Sequence, residues 1–115
     1  MSLDSERMSG TTFSVPAKRL VPFVQEPVDL LKMDAEGAED AILTDLHRSP
    51  ALRNVAQLHL EYHHHARAHK DALADVLALL ESNGFGYQLR AWQQPWPIKG
   101  TFQDVSLYSY RKDIR

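Results

Sequence analysis

The strongest constraint on the fold is a short apolar run that ends in an acidic turn. Residues Val28–Met33 are mostly apolar and are followed directly by Asp34. A run of this length and composition is typical of a strand that is buried on both faces in a parallel sheet. Gly37 then interrupts the run, and the apolar residues of segment 38–47 recur at helical spacing before Pro50. This stretch therefore predicts a strand, an acidic turn and a helix.

The same unit recurs once more along the chain. Residues 55–62 predict a second strand, and residues 70–82 predict a helix with one leucine-rich face and a C-cap at Asn83–Gly84. Two further segments, 87–91 and 105–111, alternate apolar and polar residues as strands do. No helical pattern separates them, so they should pair as a hairpin. The order β-α-β-α-β-β indicates an α/β fold with a parallel core and a C-terminal antiparallel hairpin.

The first residues differ in character from this pattern. Residues 1–12 are small and polar and show no periodicity, which predicts a flexible leader ahead of a single domain at 13–115. Pro16 and Pro22 limit segment 13–24 to a short edge strand or an extended connector. The first regular element is therefore expected only after this segment.

The overall charge argues against several classes of partner. The net charge is -2 with an isoelectric point near 6.3, and the 13 basic residues are scattered along the sequence, so there is no footprint for nucleic acid. No apolar segment approaches the length of about 20 residues that spans a bilayer, and the first residues lack the apolar region of a secretory signal. The chain has no cysteine, which fits a reducing compartment. The sequence predicts a soluble, cytoplasmic protein without nucleic-acid or membrane partners.

One segment is specific enough to indicate a family. Residues 31–39, Leu-Lys-Met-Asp-Ala-Glu-Gly-Ala-Glu, resemble the lysine-x-aspartate-x-glutamate-glycine-x-glutamate segment of FkbM-type methyltransferases. Residues 58–63 are similar to that family's next strand with its terminal glutamate, and Asn83–Phe85 resembles the turn before its sixth strand. The resemblance covers roughly residues 28–111. It implies a partial class I, Rossmann-like methyltransferase fold and methyl transfer from S-adenosylmethionine to a hydroxyl group of a sugar or natural product.

The resemblance covers only the C-terminal half of such an enzyme. The family's first strand and glycine-rich cofactor loop have no counterpart, because the glycines lie elsewhere, at Gly10, Gly37, Gly84, Gly86 and Gly100. The single G-x-G follows a predicted helix rather than opening one, so it does not suit a dinucleotide-type loop. The residues that bind S-adenosylmethionine are therefore unknown, and this chain alone is expected to be inactive and to bind the cofactor weakly.

Asp34 and Glu36 are the first candidates for a catalytic role. In open α/β sheets, ligands bind beyond the carboxyl ends of the strands, where both residues are expected. Methyl transfer to a hydroxyl requires alignment of donor and acceptor and removal of the acceptor proton. The resemblance favours Asp34 as the base or orienting group, with Glu36 second, although an acidic residue before a helix can instead be an N-cap or a partner of the helix dipole. Lys32 interrupts a buried strand and is a third candidate, either catalytic or paired with one of these acids.

Glu61 and His63 are candidates for binding the acceptor. They share one face of the predicted second strand with His59, and the strand-end glutamate is expected to line the acceptor pocket. These residues, with Asp34 on the neighbouring strand, also resemble a zinc-type ligand set. The nearby histidines are His59, His63, His64, His65 and His69. A run of adjacent histidines is more often solvated, and no HExxH motif is present, so no metal site is predicted.

Two other functions remain open from the sequence. The chain can be a non-catalytic remnant that associates through an exposed sheet edge, because the strand at 28–33 would be central in a complete fold and lacks a neighbour here. It can also be a small metal-binding module built on the histidines. We expect a homo-oligomer through this edge, unless residues 13–24 fold back to cover it.

Overall fold

The structure, a computed structural model, describes residues 13–64, 72–91 and 103–113. Its described part is a mixed α/β structure with one four-stranded sheet and two helices. The strands are β1 (Val28–Met33), β2 (Val55–His64), β3 (Phe85–Ala91) and β4 (Gln103–Arg111), and the helices are α1 (Glu39–Arg48) and α2 (Leu73–Ser82). Short 3-10 turns cover Val21–Phe23 and Ala51–Asn54. The α/β class predicted from the sequence is confirmed.

The sheet has the strand order β1-β2-β4-β3. β1 and β2 run parallel, whereas β4 runs antiparallel to both of its neighbours, β2 and β3. The pairing of β3 with β4 matches the expected antiparallel hairpin. β4 lies between β2 and β3, so parallel pairing in the described sheet is limited to β1 and β2. The carboxyl ends of β1 and β2 and the start of β4 therefore lie at the same edge of the sheet.

One face of the sheet packs against the helices and forms the core. Alternate residues of a strand point to the same face, and Leu58 and Leu60 of β2 share a face with Leu107 of β4, all three of them buried. The helices add their own buried residues: Leu43 and Leu46 from α1, and Val76 and Leu80 from α2. Burial of each such side chain contributes about 1.5–3 kcal/mol. This face therefore supplies most of the packing that holds the fold.

The opposite face of the sheet is largely exposed within the described part of the chain. Leu30, Tyr108 and Tyr110 lie on it with exposed fractions of 50%, 43% and 47%. The expectation that the strand at 28–33 is buried on both faces is wrong, because only Met33 of β1 is buried. The physical reason is that both helices pack on one face of the sheet, and among the described residues no element covers the other face of β1.

The segment before β1 is a connector rather than an edge strand. The guanidinium of Arg19 donates to both carboxylate oxygens of Asp45 in α1, at 3.0 and 2.9 Å. The amide of Asn54 donates to the carbonyl oxygen of Val24 at 2.8 Å, and Val24 is buried against the core. These contacts attach the connector to α1 and to the turn before β2. Among the described residues, no strand pairs with the outer edge of β1.

At the edge where β2 and β3 begin, a single cation joins several elements. Arg111, the last residue of β4, donates to the carbonyl oxygens of Val55 at 3.2 Å, Asn83 at 2.9 Å and Leu52. Its guanidinium carbon also lies 4.5 Å from the centre of the Phe85 ring. We call this group the arginine end. It links β4 to the turn before β2 and to the end of α2.

No helix among the described residues has the length and apolar character required to cross a membrane. Both α1 and α2 contain 10 residues, whereas a spanning helix needs about 20.

Candidate functional site

The chain leaves β1 through a tight acidic turn. The amide of Ala38 donates to the carbonyl oxygen of Ala35 at 3.2 Å, and the two residues between them have positive φ, 51° for Glu36 and 104° for Gly37. Glycine adopts this conformation at little cost, whereas a glutamate does so only with strain. Strained residues persist where the surrounding structure enforces them, and they cluster at functional sites. The strained conformation of Glu36 at the end of β1 is therefore maintained by contacts of the surrounding residues.

Glu39 is the residue that enforces the turn. Its side chain is buried, and Oε2 accepts hydrogen bonds from the amides of Ala35 at 3.0 Å and Gly37 at 2.9 Å. The other oxygen, Oε1, accepts from the backbone amide of His63 at 3.1 Å and lies 3.0 Å from its Nδ1. One buried carboxylate thus ties the turn after β1 to the end of β2.

The imidazole of His63 lies at the centre of a group of carboxyl groups. Its side chain is only 3% exposed, and Nδ1 faces Glu39. Its Nε2 lies 3.4 Å from Asp34 Oδ1, 3.5 Å from Glu36 Oε2 and 3.7 Å from Asp104 Oδ1. We call His63 and its surrounding acids the acidic end; the acids are Asp34, Glu36, Glu39, Glu61 and Asp104. It lies at the carboxyl ends of β1 and β2, whereas the arginine end lies where β2 and β3 begin.

These charges change the pKa of His63. Burial is the largest influence and by itself lowers the pKa, because it disfavours the imidazolium form. The hydrogen bond to Glu39 and the charges of Glu39, Glu36 and Asp104 together outweigh burial. The pKa of His63 is therefore raised above its ordinary value, and the ring carries a positive charge over a wider pH range than a free histidine.

Glu61 and Asp34 interact as a pair of acids. The pKa of Glu61 is raised, first by its hydrogen bond to Asp34, and then by burial and by the negative charges of Asp34 and Asp104. The nearby His63 opposes this change. The carboxyl group of Glu61 therefore keeps its proton to a higher pH than an isolated glutamate would.

The acidic end opens into a cavity of about 480 Å³ on the exposed face of the sheet. Its wall includes His59, whose ring meets the Tyr108 ring edge-on with centroids 5.2 Å apart. The lining residues come from β1, β2 and β4, with Asp34 directly after β1: Leu30, Lys32, Met33, Asp34, His59, Leu60, Glu61, Ser106, Leu107 and Tyr108. Carboxylates from two neighbouring strand ends therefore face one accessible space beside aromatic and aliphatic side chains.

The structure brings most of the predicted site residues together. Asp34, Glu36, Glu61 and His63 converge at the acidic end, as expected for residues at the carboxyl ends of adjacent strands. Lys32 lines the same cavity, but it is exposed and makes no ion pair with Asp34 or Glu36 among the described residues. The expectation that Lys32 interrupts a buried strand is wrong, because the face of β1 that carries it is open.

The capping alternative for Asp34 is also wrong. Ala38 occupies the N-cap position of α1, and no side chain caps this helix. The turn amides are instead satisfied by Glu39 from inside the helix. Asp34 keeps an exposed fraction of 45% and is directed toward His63 and Glu61. It is therefore available to a ligand.

The histidines separate into two groups. His59 and His63 belong to the described site, whereas the side chain of His64 and all of His65 and His69 lie outside the described residues. Asp34, Glu61 and His63 each offer one ligand atom, and these atoms lie within 4.8 Å of one another. Of the ligand set considered from the sequence, the structure therefore groups Asp34, Glu61 and His63, with His59 in the adjoining cavity wall.

Glu39 and Asp104 were not identified as site residues from the sequence. Glu39 belongs to the motif at 31–39, and the signal that could have identified it is an acidic residue at the start of a helix without a capping side chain. Asp104 pairs with His63 in the register of β2 with β4. Its role depends on that long-range register, which no local pattern reveals.

A family model matches most of the chain. The model of the methyltransferase FkbM domain matches residues 2–87, about three quarters of the chain. The match includes the acidic turn and the end of β2, which carry Asp34, Glu39 and His63. No curated protein and no solved structure is significantly similar to the chain.

Proposed function

The chain belongs to the FkbM methyltransferase family, and from this premise we propose that its acidic end is the acceptor side of a methyl-transfer site. The observation that carries the proposal is the convergence of Asp34 and Glu61, from the ends of neighbouring parallel strands, on one open cavity. Ligands of open α/β sheets bind at this edge. The parallel pair β1–β2 with α1 between its strands supports a Rossmann-like assignment for this part of the fold.

The proposed methyl donor is S-adenosylmethionine, and the proposed acceptor is a hydroxyl group on a sugar or natural product. In this reaction the acceptor oxygen attacks the methyl carbon, a C–O bond forms, and the C–S bond of the sulfonium breaks in line with the attack. The hydroxyl proton passes to a protein base. The protein contributes mainly by aligning the two reactants and by accepting that proton.

Asp34 is the proposed proton acceptor and orienting group. Its carboxylate is partly exposed, faces the cavity, and lies close to the carboxyl group of Glu61. Glu39 and His63 fix the turn on which Asp34 depends. Glu61 and His63 are the proposed residues for binding the acceptor, and Glu36 and Lys32 flank the site as secondary candidates.

The residues that bind the cofactor are not assigned. The single G-x-G of the sequence, Gly84–Gly86, follows a helix, and Gly37, which does lie between a strand and a helix, is a lone glycine in an acidic turn. Neither forms the glycine-rich loop that cradles a nucleotide in related folds. We therefore propose that this chain alone binds S-adenosylmethionine weakly and has little activity. Titration calorimetry tests this, and a dissociation constant at or below about 1 µM, which corresponds to about -8 kcal/mol, would contradict it.

The direct test of the catalytic proposal uses a protein that contains this segment and transfers methyl groups. Asp34→Asn should reduce its turnover by roughly two orders of magnitude or more, because the amide cannot accept the proton. Asp29→Asn is the matched control, since Asp29 is an exposed acid in the same strand. An unchanged rate in Asp34→Asn, or an equal loss in both variants, would refute the role of Asp34.

A second candidate function is association through the β1 edge. The observation that favours it is an edge strand that carries Leu30, a half-exposed side chain, with no strand paired to its outer side in the described part of the chain. Apolar, unpaired edges promote association between chains. Sedimentation at low micromolar concentration distinguishes the cases: a dimer supports association, and a monomer with rapid amide exchange along β1 refutes it.

A further inference from the structure

We propose that Asp34, Glu61 and His63 form a binding site for one divalent metal ion, with Mn²⁺ as the best-fitting ion. Two carboxylates and one imidazole come from the ends of two adjacent strands, and their ligand atoms lie within 4.8 Å of one another. This inference does not depend on the methyl-transfer proposal, because metal binding is measured without any methyl donor or acceptor.

The spacing of the ligand atoms suits a shared ion. Two ligands on adjacent positions of an ion at about 2.1 Å are about 3 Å apart, and opposite ligands are about 4.2 Å apart. The Nε2 of His63 lies 3.4 Å from Asp34 Oδ1, which is longer than a close charged hydrogen bond and near the adjacent-ligand distance. Small side-chain rotations of Asp34 and Glu61 would bring all three atoms to bonding distance.

The orientation of His63 is fixed by the fold. The Nδ1 of His63 lies 3.0 Å from the buried carboxylate of Glu39, which as an acceptor requires the proton on that nitrogen. The ring therefore directs Nε2 toward the acids. A histidine whose second nitrogen is held by a carboxylate is the usual arrangement of metal-ligating histidines, because the carboxylate fixes the ring and makes it a stronger ligand.

The surrounding charge also favours a cation. Besides the two proposed carboxylate ligands, Glu36 and Asp104 place oxygens 3.5 and 3.7 Å from Nε2. The imidazole is 3% exposed, whereas Asp34 is 45% exposed, so the ion would have one protein-enclosed side and one side open to the cavity. The open side leaves coordination positions for water or for a ligand oxygen, as in catalytic rather than structural sites.

The donor set narrows the choice of ion. Carboxylates suit Mg²⁺, Ca²⁺ and Mn²⁺, whereas imidazole suits Zn²⁺ and other transition ions. Mn²⁺ fits a mixed set of two carboxylates and one imidazole, because it binds carboxylate oxygens and is also a transition-metal ion. With no cysteine in the chain, a thiolate-based zinc site is excluded.

The first measurement is titration of the metal-free chain with MnCl₂ at pH 8, because the Nε2 of His63 binds an ion only after it has lost its proton. Binding is detected as the loss of the free Mn²⁺ signal in electron paramagnetic resonance. We expect saturable binding of one ion per chain. Asp34→Asn and Glu61→Gln should each weaken binding by at least about tenfold. Asp29→Asn, which changes an exposed acid outside the acidic end, should leave the affinity unchanged. Circular dichroism checks that each variant is folded.

A second measurement locates the ion. Mn²⁺ broadens the amide signals of nearby residues, so the signals of Asp34, Glu36 and His63 should disappear before those of α2. Broadening centred on residues 65–69 instead would assign binding to the histidine run and overturn the proposal. Unsaturable binding, or equal affinity in Asp34→Asn, Glu61→Gln and Asp29→Asn, would overturn it as well.

Discussion

The two ends of the sheet differ in the groups that surround a basic side chain. At the arginine end, one cation is satisfied by three neutral carbonyl oxygens and the face of Phe85. At the acidic end, one imidazole is surrounded by carboxyl groups, of which only Glu39 is buried and used in several backbone hydrogen bonds. The first arrangement serves stability, whereas the second carries more negative charge than its own cation neutralises.

This contrast separates structural residues from functional ones. A group whose removal lowers stability is part of the scaffold, whereas a group whose neutralisation raises stability is retained for another reason. We therefore expect substitutions at the arginine end to destabilise the chain and most neutralising substitutions at the acidic end to stabilise it. Glu39 should be the exception, because it behaves as a structural carboxylate within the acidic end.

The largest expected effect is at the arginine end. Arg111→Leu removes the donor from the carbonyl oxygens of Leu52, Val55 and Asn83. Each hydrogen bond to a charged group contributes about 1.5–3 kcal/mol, but some of the freed carbonyl oxygens would bind water instead. The substitution should therefore lower the free energy of unfolding by about 3 kcal/mol. Urea unfolding measures the change. Arg53→Leu, at an exposed arginine in the turn before β2, is the control. An equal decrease in the free energy of unfolding in both variants would show that Arg111 has no special structural role and that the two ends of the sheet do not differ as described.

The next effect is expected at Glu39. Glu39→Gln replaces one acceptor oxygen with an amide that cannot accept, and it should lower the free energy of unfolding by about 2 kcal/mol, because two backbone amides or one amide and the His63 ring lose their acceptor. Glu26→Gln, at an exposed glutamate, is the matched control. If the two substitutions have similar effects, Glu39 does not hold the turn, and it is no more structural than the other acids of the acidic end.

A smaller effect of opposite sign is expected at Glu36. Glu36→Gln removes one negative charge, and Glu36→Asn removes the same charge and places a residue that tolerates the positive φ of 51°. At pH 8, where the positive charge of His63 contributes less than at low pH, both should raise the free energy of unfolding, and Asn should give the larger gain, about 1 kcal/mol in total. The difference between the two variants measures the backbone strain. Destabilisation by both would show that the Glu36 carboxylate is structural.

The sequence predicted the parts of the fold that depend on local pattern. The apolar run at 28–33 and the helical spacing that follows it define β1 and α1 without knowledge of the rest of the chain. The general rule that ligands bind at the carboxyl ends of parallel strands then places Asp34, Glu36 and Glu61 near one another. The resemblance to FkbM-type methyltransferases agrees with the family match.

The remaining features depend on contacts between distant segments. β1 is exposed on one face because both described helices pack on the other face of the sheet, and a run of apolar residues does not reveal whether one or both faces of a strand are covered. Lys32 lines an open cavity for the same reason. Asp104 reaches His63 only through the pairing of β4 with β2. Each of these outcomes is determined by how distant segments pack and pair rather than by local sequence.

The most direct test of the contrast is the thermal stability of Asp34→Asn relative to the unaltered chain, measured at pH 8 and pH 6 with EDTA present. We predict a higher melting temperature for the variant at pH 8, because one of several crowded carboxylates loses its charge. The raised pKa of His63 implies that its stabilising charge is present at low pH and is lost as the pH rises through that pKa, so the gain should shrink at pH 6. Asp29→Asn should change neither value. A lower melting temperature for Asp34→Asn at pH 8 would contradict the account, since it would make Asp34 a structural residue.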